Sequence, residues 1–428
     1  MHTEQLYSIY QQYPSVQTDT RKLRSGDLFF ALKGPSFNGN AFAQQALNMG
    51  AAYAVIDEAE YSIEGKTILV PDVLLALQDL ARYHRQQLPI PFLAITGSNG
   101  KTTTKELVHA VLSTTFTTYT TEGNLNNHIG VPLTILKIRS DALMAVIEMG
   151  ANHQKEIELY CTIAQPTHGL ITNCGKAHLE GFGGVEGVRK GKGELFDYLR
   201  TRPDATAFVM QDYDYLKEMS RGIAHIITYG TNAANVVGTV AQSDPFLAVA
   251  FTQGLQQEVN TQLVGGYNLP NVLAAAAVGL HFGVPPEQIK SAIEHYTPTN
   301  SRSQLVQRGS NNIILDAYNA NPSSMKLAVE NLARAAGNHK ILVLGAMAEL
   351  GAESLDEHQQ LVAEINKYAW QHVVLVGGDF LKLQHPYQSF ATAAEAGQWL
   401  QRQQPQQATM LIKGSRSTGM EKVLEYIS

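Results

Sequence analysis

The sequence has little cysteine, no run of one charge and no long apolar stretch. Its 428 residues include only Cys161 and Cys174. Two cysteines so placed exclude a disulfide framework or a cysteine-held metal and suit a reducing compartment, with both thiols expected in packing roles. The first thirty residues lack a basic patch followed by an apolar core, and the richest apolar run is VLAAAAVGL from Val272. That is far short of the roughly 18 residues that span a bilayer. A cytoplasmic protein without membrane insertion is expected. Lys and Arg number 32 against 38 Asp and Glu, a net charge of −6. Broad electrostatic capture of nucleic acid or of an anionic membrane therefore has no support, and any phosphate must bind at a local site.

What is present is the composition of a soluble α/β protein, 44% hydrophobic and 16% charged. The length exceeds what one core supports, so several domains are expected. From Gly26 the chain offers a strand-like DLFFAL, a polar loop KGPSFNGN, a helix-like run from Ala41 to Met49 and the strand-like AAYAVI. Pro89 and Pro91 end the helix-like VLLALQDLARYHRQQL and place a boundary near residue 86. PFLAI, LMAVIEM and HGLIT then alternate with helical segments, the pattern of a parallel sheet covered on both faces. The polar YTPTNSRSQ reads as a linker near residue 300. Beyond it NIILDAY, KILVLGAM, HVVLVGGD and TMLIKGSR each run from an apolar strand into a polar or Gly-rich loop. Ligands of such sheets bind at the carboxyl ends of the strands, so these loops are candidate sites.

AITGSNGKTTTKELV, from Ala94 to Val108, carries the clearest chemistry. An apolar strand precedes it, and Leu107, Val108, Val111 and Leu112 follow at helical spacing. A glycine-rich turn between strand and helix aims backbone N–H groups and the helix N-terminus at a phosphate. Lys101 is placed to reach the β and γ phosphates, and the Thr102 hydroxyl to bind Mg²⁺. Glu148 closes the strand LMAVIE, where an acid can meet that ion. His178 also follows an apolar strand, and read alone it is as much a structural histidine as a ligand. Spacing leaves open whether Lys190 or Lys192 of RKGKGELF turns inward.

Together these residues resemble the Mur ligase family, ATP-dependent amide ligases that build the peptidoglycan peptide. TGSNGKT is similar to that family's shortened phosphate loop, and GNLNNHIGVPLT, TNCGKAHLEGFGG, the Lys192-Gly-Glu run, GYNLPNVLAAAA and VLGAMAELG with His358 downstream match as well. DAYNANP (Asp316 to Pro322) and KGSR (Lys413 to Arg416) are similar to the branch that adds D-alanyl-D-alanine. The resemblance implies an α/β chain of three domains. Residues 1–85 would be a small UDP-muramoyl-binding domain, 86–300 a central P-loop parallel-sheet ATPase, and 301–428 a Rossmann-like domain for D-Ala-D-Ala and part of ATP.

It further implies an activity, the joining of D-alanyl-D-alanine to UDP-N-acetylmuramoyl-tripeptide through an acyl phosphate, with ATP and two Mg²⁺ ions. Lys101, Glu148, His178 and Lys192 would be catalytic. Thr102 and Glu148 would hold one ion, His178 and a carbamylated Lys192 the other, which sets Lys190 aside. ATP would lie on Thr96, Gly97, Ser98, Asn99, Gly100, Lys101, Thr102 and Thr103, with Asn271 at the adenine, Arg302 at phosphate, Asp316 at the ribose and Asn319 on the same wall. Thr20, Arg21, Phe37, Asn38 and Gly39 would hold the uridine diphosphate, and Asn124, Asn126 and Asn127 the muramoyl end. Asn321, Lys413 and Arg416 would take the dipeptide, and a monomer is expected. Asn38, Asn40 and Tyr267 stand where many relatives carry Asp, His and His. Two rivals are a folylpolyglutamate synthase-like ligase and a non-catalytic nucleotide-binding regulator. DAYNANP and KGSR argue against the first, and retention of Lys101, Glu148, His178 and Lys192 against the second.

Overall fold

The computed structural model describes residues 2–299 and 301–427. Asn300, within the linker read from the sequence, lies outside the described residues. Three main sheets follow one another along the chain. The first holds four parallel strands in the order Val16–Gln17, Leu28–Phe30, Tyr53–Ile56 and Thr67–Leu69. Leu28, Phe29 and Phe30 are all buried, as a parallel strand covered on both faces requires.

The second sheet has nine strands. Seven are parallel, in the order Val236–Gln242, His225–Gly230, Thr206–Met210, His168–Ile171, Phe92–Thr96, Met144–Glu148 and Thr118–Thr120. Ala248–Gln253 and Glu258–Asn260 extend one edge as antiparallel strands. Every residue of Phe92–Thr96 and of Met144–Glu148 is buried, and Ile95 lies opposite Glu148 in their parallel register. That pairing delivers the phosphate loop and the acid to one end of the sheet.

The third sheet contains the four strands expected from the sequence, Asn311–Asp316, Thr409–Lys413, Lys340–Gly345 and His372–Val376, in that order and parallel. Gln304–Arg308 pairs antiparallel at one edge and Gln388–Phe390 parallel at the other. Cys161 and Cys174 are free and buried. Among the described residues no helix is long and apolar enough to cross a membrane.

The helix Val73–Gln86, capped by Asp72 onto the Leu75 N–H, packs against Thr3–Gln12 on one side and against Gly130–Leu136 and Glu156–Ala164 on the other. Its last turn carries Arg85, which is buried. The guanidinium donates to the carbonyls of Ala164 (2.8 Å), Leu88 (2.7 Å) and Gln165 (3.2 Å) and lies 3.8 Å from the centre of the Phe92 ring. Burial lowers its pKa to about 10. Three carbonyls from two segments, Leu88 after its own helix and Ala164 and Gln165 at the end of Glu156–Ala164, depend on this one side chain. Arg85→Met is expected to cost about 2 kcal/mol, the penalty for buried acceptors left unpaired, read as a lower Tm with ADP affinity unchanged. An unaltered Tm would remove Arg85 from this role.

Candidate active site

The phosphate loop leaves the strand Phe92–Thr96 through Gly97 (φ +142°) and enters the helix Lys101–Leu112 through Gly100 (φ +78°). Only glycine adopts both without strain. The neighbouring strand braces the loop. Thr172 Oγ1 donates to the Asn99 carbonyl (2.6 Å), the Ser98 N–H to the Asn173 carbonyl (2.9 Å), and the Asn99 N–H to Asn173 Oδ1 (3.1 Å). Lys101 Nζ folds back onto the carbonyls of Gly97 (2.7 Å) and Ser98 (3.3 Å). Burial lowers its pKa, opposed by the charge of Glu148. Such an ammonium is stabilised by any anion that reaches the loop. Thr96 is fully buried and donates its hydroxyl to the Met149 carbonyl, whereas the Thr102 side chain lines the cavity beyond the loop.

That cavity, about 650 Å³, is walled by Ser98–Thr103 and Glu148 on one side and by Arg302, Asp316, Asn319, Asn321 and Lys413 on the other. Glu148 is 2% exposed. Its Oε1 accepts from Asn126 Nδ2 at 2.6 Å, while Oε2 is buried and has no partner. Lys192 is 1% exposed, with Nζ donating to the Ala151 carbonyl at 3.0 Å and lying 4.9 Å from the Phe182 ring centre. Burial, reinforced by the charge of Lys101, lowers its pKa to about 7. Lys190 on the same helix is exposed. Lys192 is not among the residues lining the cavity, whereas His178 is, and its Nδ1 pairs with Glu349 Oε2 at 2.5 Å, which holds that carboxyl below its usual range.

Several expected binding residues already have protein partners. Asn271 accepts from Thr104 Oγ1 (3.0 Å) and donates to Asn268 (2.8 Å) while facing the cavity. Asn127 Oδ1 accepts from the Gly130 N–H in the turn before the helix Gly130–Leu136, and Asn124 is exposed on the rim. Asp316 and Lys413 pair with each other at 2.6 Å. Lys413 Nζ also donates to the Asn319 carbonyl (3.2 Å). Asn321 caps the helix Pro322–Arg334 and donates to Asn99 of the phosphate loop at 2.7 Å. The Arg302 guanidinium stacks 3.6 Å from the Tyr318 ring centre, with that of Arg416, exposed, 5.7 Å from the same ring. Tyr267 bonds Ser303 through its hydroxyl at 3.0 Å.

The N-terminal candidates stand outside the cavity. Arg21 is exposed and pairs with Asp19, beside Thr20, and Phe37 is 56% exposed. Asn38 donates to Glu58 (2.7 Å), and Asn40, fully buried, exchanges two hydrogen bonds with Asp57. Gly39 turns beneath Leu32, whose carbonyl leaves no room for a Cβ. Lys33 bridges Asp57 (3.0 Å) and Glu58 (3.3 Å). Sequence reasoning missed Lys33, Asp57 and Glu58, and it missed Thr172, Asn173 and Glu349. The available signal for Thr172 and Asn173 was their place at the carboxyl end of the apolar strand beside the phosphate loop.

Comparison with known proteins covers nearly the whole chain. The family described as "Mur ligase family, catalytic domain" matches residues 12–85, "Mur ligase middle domain" residues 95–279, and "Mur ligase, glutamate ligase domain" residues 301–416. A UDP-N-acetylmuramoyl-tripeptide–D-alanyl-D-alanine ligase of Escherichia coli is 38% identical, over 96% of this chain and 92% of its own length. The Bacillus subtilis ligase of the same name is 37% identical, over 82% and 77%. Among solved structures, MurF from Acinetobacter baumannii superposes with a TM-score of 0.89 at 33% identity, covering 99% of this chain and 97% of that one. MurF from Thermotoga maritima in complex with ADP superposes at 0.85 with 26% identity, covering 96% of each.

The loop geometry makes one substitution decisive. A Cβ at Gly97 would run into Thr172 Oγ1 at a left-handed φ. Gly97→Ala is expected to weaken ADP binding about tenfold or more, some 1.4 kcal/mol or above, by calorimetric titration. Wild-type affinity would show that the loop does not cradle the phosphates.

Proposed function

The chain belongs to the Mur ligase family, and from that premise we infer that it is an ATP-dependent ligase joining D-alanyl-D-alanine to UDP-N-acetylmuramoyl-tripeptide. The products are UDP-muramoyl-pentapeptide, ADP and phosphate. One observation carries the reading: the phosphate loop, the DAYNANP segment and Lys413 of KGSR line a single cavity. A carboxylate is a poor electrophile, so it must be activated before an amine can attack it. The tripeptide carboxylate attacks the γ-phosphorus of ATP, giving an acyl phosphate. The dipeptide amine then displaces phosphate from the carbonyl carbon.

The chain's own residues answer the electrostatic problem of bringing a carboxylate to a triphosphate. Lys101 leaves its two loop carbonyls for phosphate oxygens, where a preorganised charge in a dry site acts most strongly. The loop N–H groups and the helix N-terminus hold the phosphates. Approach of residues 301–428 excludes water, which would otherwise hydrolyse the acyl phosphate. We assign UDP-muramoyl binding to residues 1–85, ATP to 86–300, and the dipeptide with part of ATP to 301–428, with Arg416 as the exposed guanidinium for the dipeptide's free carboxylate. A cytoplasmic monomer suits the small-molecule substrates.

The donor set fits magnesium. Glu148 Oε2 is a buried carboxylate oxygen without a partner, and Thr102 supplies a hydroxyl on the same cavity wall. Both are the hard oxygen ligands that Mg²⁺ prefers. Bound there, Mg²⁺ would neutralise phosphate charge. A second ion would use His178, freed from Glu349, and Lys192. An ammonium cannot ligate a cation, but a neutral amine takes up CO2 and becomes an oxygen ligand. With its pKa lowered to about 7, Lys192 carries a substantial neutral fraction at neutral pH, and that fraction grows as pH rises.

The folylpolyglutamate synthase reading finds no specific support. The likeness to the Mycobacterium tuberculosis synthase, TM-score 0.63 at 16% identity over 82% of this chain and 94% of that one, shows the fold alone.

Phosphate release from ATP should require both the UDP-muramoyl tripeptide and D-Ala-D-Ala. Release supported by a folate and glutamate instead would refute the assignment. Lys192→Ala should lower turnover about 10²-fold or more and recover part of it with added short carboxylic acids. Full activity of the plain variant would remove the carbamate.

A further inference from the structure

The loop 173–178 is held from two sides. On one side it carries the phosphate loop: the Gly175 carbonyl accepts from Ser98 Oγ at 2.9 Å. On the other it meets the segment of the third sheet. The Lys176 N–H donates to Ser323 Oγ (3.0 Å), and Lys176 Nζ pairs with Glu357 Oε1 at 2.5 Å. Glu357 lies on the helix Ser354–Ile365, with its side chain 5% exposed. Among the described residues its one ion pair is with Lys176. Neither residue lines the cavity.

A carboxylate so buried is costly unless a cation accompanies it. Here the cation comes from the segment that carries ATP, 181 residues away in the chain. When the two segments separate, Glu357 loses its counter-ion. The Coulomb term therefore favours the docked arrangement, and the backbone on either side of Lys176 passes that docking on to Ser98 and to His178. The other contacts across this junction are neutral hydrogen bonds, as between Asn321 and Asn99, or carboxylates at exposed positions, Glu349 with His178 and Asp244 with the Ala336 N–H at 2.7 Å.

We propose that Lys176 and Glu357 are a positioning pair that holds the dipeptide-bearing segment docked on the phosphate loop. They set the rate of the step needing both segments while touching no substrate. This rests on the reading of residues 301–428 as the carrier of D-Ala-D-Ala. Breaking the pair shifts the docked population without altering either half of the site. Turnover falls, while ADP affinity, made mainly by the phosphate loop, changes far less.

The test is a double-mutant cycle of Lys176→Met, Glu357→Gln and the double variant, with four readouts: kcat and dipeptide KM, ADP affinity, Tm, and small-angle scattering with ADP and substrate. Each single variant should lose about tenfold in kcat, a coupling of ordinary size, with a much smaller change in ADP affinity and a larger radius of gyration than the wild type. The double variant should be no worse than the poorer single, because it leaves no unpaired buried charge. Wild-type kcat and scattering in the single variants would overturn the proposal. So would losses that multiply in the double variant, or a fall in Tm alone. If the wild type releases no phosphate in response to the dipeptide, the assigned reaction fails on that control, and scattering alone judges the pair: equal radii for wild type and variants would overturn it.

Discussion

Glu148 keeps one carboxylate oxygen buried and unpaired beside the phosphate loop, and the rest of the site is arranged around that debt of charge. A polar atom so placed is costly in an isolated protein. The sheet enforces it, because Glu148 ends a strand buried on both faces and paired in register with the strand that feeds the loop. Asn126 and Thr121 fix the carboxylate and its backbone from the other side. A cation is the partner that suits a carboxylate oxygen so placed. Two lysines stand near enough for their charges to matter, Lys101 toward Glu148 and Lys192 toward Lys101. Burial lowers the pKa of both, so the pocket is prepared for a substrate rich in negative charge and for the ions that accompany it.

The second constraint is that the cavity has no single owner. Its phosphate side belongs to the nine-stranded sheet and its opposite wall to the six-stranded one. Where the walls meet, Asn321 caps its own helix and also bonds Asn99. Asp316 and Lys413 neutralise each other across neighbouring parallel strands. This explains why residues expected on different ligands are partners here. A buried charged side chain takes the nearest opposite charge, as Lys413 takes Asp316.

Much of this was legible in the sequence, because parallel strands covered on both faces read as apolar runs and end in the loops that matter. The antiparallel extension at Ala248–Gln253 and Glu258–Asn260 was not, nor was the strand Val236–Gln242 that it pairs with, whose last four residues are exposed and leave no continuous apolar run. Spacing left Lys190 and Lys192 open until the family pattern chose, yet helical phase held the answer. Val188, Lys192, Leu195 and Leu199 share the buried stripe of Val185–Arg200, and Lys190 falls on the opposite face. Other features had no local signature. Glu357 and Lys176 meet across 181 residues, and nothing near Asn40 in the chain announces that Asp57 will consume its amide. Asparagine is ambiguous by nature, serving equally as cap and as ligand contact; Asn321 caps a helix here, and Asn127 accepts from backbone N–H groups in the turn before one.

The central claim is that this cavity activates a carboxylate by transferring phosphate to it. Oxygen-18 placed in the terminal carboxylate of the tripeptide tests that claim at the atom concerned. If the carboxylate attacks the γ-phosphorus and the amine later expels phosphate, the released phosphate carries one labelled oxygen from the peptide. Unlabelled phosphate, with the amide formed at the same rate, would contradict the account.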